Sequence, residues 1–209
     1  MFHTLIFFAM RLKINLLILI LLYVFLSGVY SQNDSSEANL LVKTNILYDL
    51  TGTINLGVEY KISNKVSTEL SANLNPWDYG SWKIKHFLLQ PGVRYWLNHT
   101  YDHAFFGVHL MYSKFDFAGL KLPFGIYGGF DLNDYRYKGI FYGIGISTGY
   151  QWHFHRNWGM EASFGIGYTY WDYDKFDFSP DAILGPEMGE SGGLFSLTKL
   201  GLSLIYKIN

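Results

Sequence analysis

The chain has 209 residues, with 22 Gly, no Cys, 49% hydrophobic and 19% aromatic residues, and a formal net charge of −1. That length suits one domain, and zero cysteine excludes disulfides, Cys-based zinc sites and a lipidated N-terminal cysteine. A near-neutral chain without a Lys/Arg cluster offers no surface for nucleic acid, so no nucleic-acid partner is expected.

Arg11 and Lys13 precede an apolar run over 16–26, which ends in Ser27, Gly28, Val29, Tyr30 and Ser31. A basic region, an apolar core and small residues at the −3 and −1 positions describe a signal peptide over 1–31, cleaved before Gln32. Met10 opens a more ordinary signal peptide than Met1 does, and an uncleaved anchor helix is the competing reading. Residues 32–39 are polar and read as a disordered lead-in, leaving 40–209 as the folded domain.

From Leu40 the pattern alternates with period two, which is the signature of β-strands because successive side chains leave on opposite faces. Eight strands are expected. The first covers 40–49, the second 53–62, the third 66–75, the fourth 86–97 and the fifth 104–115. The sixth and seventh lie within Lys138 to Trp171, on either side of His155, Arg156 and Asn157. The eighth covers 196–208. Pro91 falls inside the fourth strand, where a missing ladder donor predicts a bulge or a kink.

The sixth and seventh strands are the most informative. Ile140, Tyr142, Ile144, Ile146, Thr148, Tyr150 and Trp152 share one face, opposite Phe141, Gly143, Gly145, Ser147, Gly149 and Gln151. Glycine seldom fills a strand face in contact with water, but it suits the inside of a narrow barrel. A bulky apolar face bordered by aromatics is what a membrane barrel turns to lipid. The runs also reach the roughly 9–11 residues of a tilted membrane strand. Short connections at 63–65, 98–103 and 155–157 alternate with long ones at 76–85, 116–138 and 172–194. That alternation suggests periplasmic turns and extracellular loops, with both termini periplasmic. The expected fold is all-β: an eight-stranded antiparallel up-and-down transmembrane barrel of outer-membrane type. A soluble lipid-binding barrel shares the same periodicity and is the alternative.

Charges on the small-residue face are few. Glu59 and Glu69 lie symmetrically about the turn near Asn64 and should face each other, which is destabilising without a cation. Arg94 is the natural partner, with Glu161 and His109 at comparable depth and Lys43 and Lys207 near the seam of first and last strands. An eight-stranded barrel is just wide enough for side chains to fill, so these residues should form a structural plug. A narrow gated pore is the competing reading. Catalysis would need a nucleophile beside a histidine that a carboxylate orients. Ser81 and His86 share an outer loop but nothing orders them, so no enzyme activity, catalytic residue, cofactor or metal site is expected. A lipid-modifying enzyme is the alternative. Asp172 and Asp174 open an acidic loop that lacks the glycine and closing glutamate of a calcium loop. With Trp77, Tyr79, Trp82, Tyr135 and Tyr137 they are candidates for contact with a protein or glycan.

The segments VKTNILYDLTGTINLGVEYKIS, NPW at 75–77, QPGVRYWL at 90–97, FFGVH at 105–109 and LKLPFG at 120–125 resemble a Bacteroidetes outer-membrane family, domain of unknown function 3575. RYKGIFYGIGISTGYQW and NWGMEASFGIGYTY continue the likeness, which covers nearly all of 41–206. The resemblance implies a signal-bearing outer-membrane barrel with no catalytic residues to carry over. It also implies membrane lipid and the barrel-insertion machinery as partners, and a surface or fimbrial protein as a further one. Barrels of this type end on an aromatic residue, whereas this chain ends Tyr206, Lys207, Ile208 and Asn209, leaving that role to Tyr206 or Ile208. The expected function is a non-channel structural or interaction role at the cell surface.

Overall fold

A computed structural model describes residues 39–78, 83–119, 135–177 and 188–208. The expected signal peptide, residues 32–38 of the lead-in, and Tyr79, Ser81 and Trp82 lie outside the described residues. Among the described residues the strands are β1 (Leu40–Asn45), β2 (Ile54–Lys61), β3 (Val66–Asn75), β4 (Lys83–Trp96), β5 (His103–Ala118), β6 (Tyr135–His153), β7 (Trp158–Asp177) and β8 (Met188–Ile208), with one helix, α1 (Ile46–Leu50). Each strand pairs antiparallel with its neighbours in sequence, and β8 returns to pair with β1, so the eight form a closed ring.

The alternation holds throughout. In β3, Ser67, Glu69, Asn73 and Asn75 are buried inside the ring while Thr68, Leu70 and Leu74 stand outside. Outward residues grade along the longer strands, β4 to β8. On β6 they run from Trp152 through Ile146 and Ile144 to Tyr142, and on β5 from Phe106 through Val108 and Leu110 to Tyr112. Aliphatic side chains thus occupy the middle of the outer wall and aromatics flank them.

Two expectations about local structure need correction. The first strand stops at Asn45, not at 49. Asn45 caps α1, its side-chain oxygen accepting from the Leu47 amide at 3.2 Å. The signal was in the sequence: Ile46, Leu47 and Tyr48 are consecutive apolar residues behind an Asn, which is a helix start rather than alternation. Pro91 produces no bulge either. The β4–β5 pairing lapses around it and resumes in the same register, Leu89 opposite Tyr112 and Gly92 opposite His109. The irregularity falls instead in β8, where Gly165 pairs with Lys199 and Ile166 with Leu197, leaving Thr198 as the extra residue.

The strands β5 to β8 also outrun the expected bounds at the long-loop end. Tyr135, Tyr137, Asp172 and Asp174 are strand residues, not loop residues. Their pairing explains this. Lys138 lies opposite Asp174 and Tyr137 opposite Lys175, so the ladder continues on cross-strand pairs of opposite charge and of cation with aromatic.

Gly145 and Gly167 face each other across β6 and β7. A Cβ on Gly167 would lie 2.2 Å from the Ile144 carbonyl oxygen and 2.5 Å from the Gly145 Cα. The close approach of the two strands at this point therefore depends on bare backbone. Gly167→Ala is expected to force the two strands apart and cost about 1–3 kcal/mol. A lower unfolding temperature would show it, and an unchanged one would mean the strands separate freely.

Candidate functional site: a balanced ion cluster beneath a lateral cavity

The interior is layered. Nearest the short turns lies an apolar layer of Leu41, Trp96, Tyr101, Phe105 and Ile205. Tyr101 reaches it from the turn itself, at a positive φ of 72°. Its hydroxyl donates to the carbonyls of Asn39 and Glu59, both at 3.1 Å, and burial pushes its phenol above the usual range. The Trp96 indole donates to Ser67 Oγ at 2.8 Å, and Ser67 donates to Glu59 at 2.5 Å, tying this layer to the next.

Above it sits the ion cluster. Glu59 and Glu69 are opposite each other across β2 and β3, as the symmetry about Asn64 requires. Arg94 lies between the carboxylates: Nη1 and Nη2 donate to the two oxygens of Glu161 at 2.7 and 3.0 Å, Nη1 reaches Glu59 at 3.1 Å, and Nη2 pairs with Glu69. The guanidinium carbon is 4.1 Å from the centroid of Phe105, which closes its lower side. Lys43 pairs with Glu59, and its Nζ is 3.1 Å from Glu161 and 3.4 Å from Glu69. Lys199 donates to Glu69 at 2.7 Å. Three carboxylates thus meet three cations, a neutral set in which each carboxylate has at least two positive partners. Charges with side-chain exposures of 0–5%, such as Glu59, Glu69, Arg94 and Lys43, require that balance.

Lys199 was not among the sequence candidates. Counting back from Tyr206, which faces outward, turns Ile205, Ser203, Gly201 and Lys199 inward, so parity alone would have found it. The extra residue at Thr198 would then have broken the count beyond that point. Lys207 is not in the cluster; its backbone instead exchanges hydrogen bonds with Asn157. His109 is inside the ring but outside the ion pairs, with Nε2 3.0 Å from Thr198 Oγ1.

Next comes a cavity of about 380 Å³, and beyond it an aromatic layer of Phe115, Tyr137 and Trp171. Lys199, Thr198 and Ser113 lie on its cluster side, Phe117, Phe141 and Trp171 on its aromatic side. Leu47 and Tyr48 of α1 form part of its wall. His86 is at its rim, its Nδ1 2.9 Å from the Ile84 carbonyl and its ring 6.4 Å from Tyr48.

The remaining candidates are spread over the long-loop end. The Trp77 indole donates to the Gly52 carbonyl at 2.9 Å. Tyr137 points inward and meets Tyr173 edge-on at 5.5 Å, so its ring belongs to the aromatic layer. Tyr135 lies under Lys175 Nζ at 3.6 Å, and Asp172 and Asp174 stand on the exposed face of β7. No group of three His, Asp or Glu residues arranged for a metal occurs among the described residues.

The model of the family described as protein of unknown function (DUF3575) matches residues 16–208. The chain belongs to this family. Within this DUF3575 member, the match takes in every strand of the ring and all six residues of the ion cluster. No curated protein and no solved structure matches it.

Proposed function

We propose that this DUF3575 protein is a small, non-conducting outer-membrane β-barrel, preceded by a cleaved signal peptide, that acts as a structural or interaction protein through its outer end. The observation that carries the reading is the outer wall. A closed ring exposes large apolar residues on every strand from β2 to β8, with aromatics flanking the aliphatic middle on β4 to β8, while the six charges of the ion cluster lie inside. Water-soluble monomers rarely expose continuous apolar patches larger than a few hundred Å². A bilayer removes that cost, and aromatic girdles belong at its two interfaces. The short turns then face the periplasm and the long strands β5 to β8 project outward. This outer end carries a surface or fimbrial partner's contacts on Trp77, which follows β3, and on Asp172 and Asp174 of β7.

Fractionation followed by electrophoresis of unboiled and boiled samples tests this. A heat-shifted band in the outer-membrane fraction is expected, and a soluble product without a shift overturns the reading. The ion cluster above an apolar layer supports a plug rather than a gate. Glu161→Gln leaves two carboxylates against three cations and is expected to lower thermal stability while planar-bilayer conductance stays at background. A conductance that appears in the variant favours the pore. His86 at the cavity rim is the group an acyl-transfer mechanism would use, so an unaltered membrane lipid profile in His86→Ala is the expected result, and an altered one favours the enzyme.

A further inference from the structure

We infer that the cavity above the ion cluster holds a single lipid acyl chain, admitted sideways from the bilayer through the seam between β8 and α1. The inference rests on the membrane reading above and adds a ligand to it.

The seam follows from unequal strands. β1 pairs with β8 only from Leu40 opposite Ile208 to Asn45 opposite Ser203. Beyond that, the Asn45 side chain stands in for one more step of ladder: its Nδ2 donates to the Leu200 carbonyl at 3.0 Å, and its oxygen accepts from the Leu202 amide at 3.2 Å. From Lys199 outward β8 pairs with β7 alone among the described strands, and α1 leans across the gap in place of a strand.

The cavity reaches the outer wall at this gap. Leu197 and Leu200 line it together with Leu47, yet Leu200 is half exposed on the outside of the ring. Both leucines lie between Phe195 and Tyr206, the aromatics that bracket the outward face of β8. The mouth therefore opens at the level of the aliphatic belt, where its surroundings are hydrocarbon rather than water. A chain already dissolved in the bilayer has a direct route to it. Inside, Leu88, Met111, Phe141 and Trp171 offer apolar contact. A volume of about 380 Å³ is at the low end of ligand pockets, roughly 300–1,000 Å³, which suits one chain and not a whole lipid. The exposed α1 residue Leu50 and the single-turn length of the helix leave it able to yield as a chain enters.

The test uses the heat-shifted protein in nanodiscs of dilauroyl phosphatidylethanolamine, with retained lipid read by native mass spectrometry after release. One retained lipid per chain is expected. Ser113→Trp projects a ring into the cavity and should cut the retained fraction about tenfold or more. Where that variant lacks the heat-shifted band, Ser196→Trp places the same ring from β8. Lauric acid in detergent micelles should displace the phospholipid, because both present the same hydrocarbon chain. Equal retention in the filled variants places the lipid on the outer wall and overturns the inference while leaving the membrane reading intact. Retention of lauric acid in micelles by a protein that had kept no phospholipid in the nanodiscs overturns the lateral route. A soluble protein without a heat shift overturns both.

Discussion

Arg94→Ala is expected to cost about 3–5 kcal/mol, the range found when one member of a buried ion set is removed. The reason is local. Arg94 touches all three carboxylates, and without it Glu59, Glu69 and Glu161 retain only Lys43 and Lys199, leaving one uncompensated negative charge inside the ring. Arg94→Gln combined with Glu161→Gln keeps the set neutral, because it deletes the two members joined bidentately. Most of the stability should return in that double variant. The temperature at which the heat-shifted band disappears measures both. A single variant as stable as the parent, or a double variant no better than the single, would show that the cluster is not held by charge balance.

Ile146→Lys is expected to cost about 2–4 kcal/mol, the range for a lysine placed at the bilayer midplane on the lipid face of a barrel. Ile146 is 63% exposed and sits midway along β6, between Trp152 and Tyr142. Ile62→Lys is the control. Ile62 is 59% exposed but lies just past β2 at the short-turn end, where the same substitution costs about 0–1 kcal/mol. In water the two substitutions would be equivalent, and an exposed lysine for isoleucine would cost almost nothing. The difference between them, measured by unfolding in lipid or detergent, separates a lipid-facing wall from a solvated one. Equal and negligible effects would sink the membrane reading.

The faces of the strands were legible because a period of two needs no knowledge of neighbours. Ile144 and Ile146 stand outside and Gly145 and Ser147 inside for the same reason that consecutive Cβ atoms diverge. The meeting of Glu59 with Glu69 was legible too, since a short turn fixes the register on either side of it. Tyr135, Tyr137, Asp172 and Asp174 were misplaced in loops because polar residues in β6 and β7 resemble loop composition. Only their cross-strand partners show that the ladder continues.

Alternation and turn lengths along the chain were enough to specify an antiparallel eight-strand meander, the identity of its inner and outer faces, and the depth of most of its interior charges. Those properties depend on side-chain alternation and turn length, which are local. The rest came only with the assembled ring: that Thr198 is the extra residue in β8, and that Lys199 completes a neutral set with Lys43 and Arg94. So did the opening of a cavity beside β8. Each depends on contacts between segments far apart in the chain, as where Asn45 bonds Leu200 and Leu202. Loop closure over such a separation is governed by packing and balance of charge across the ring, which no window of the sequence contains.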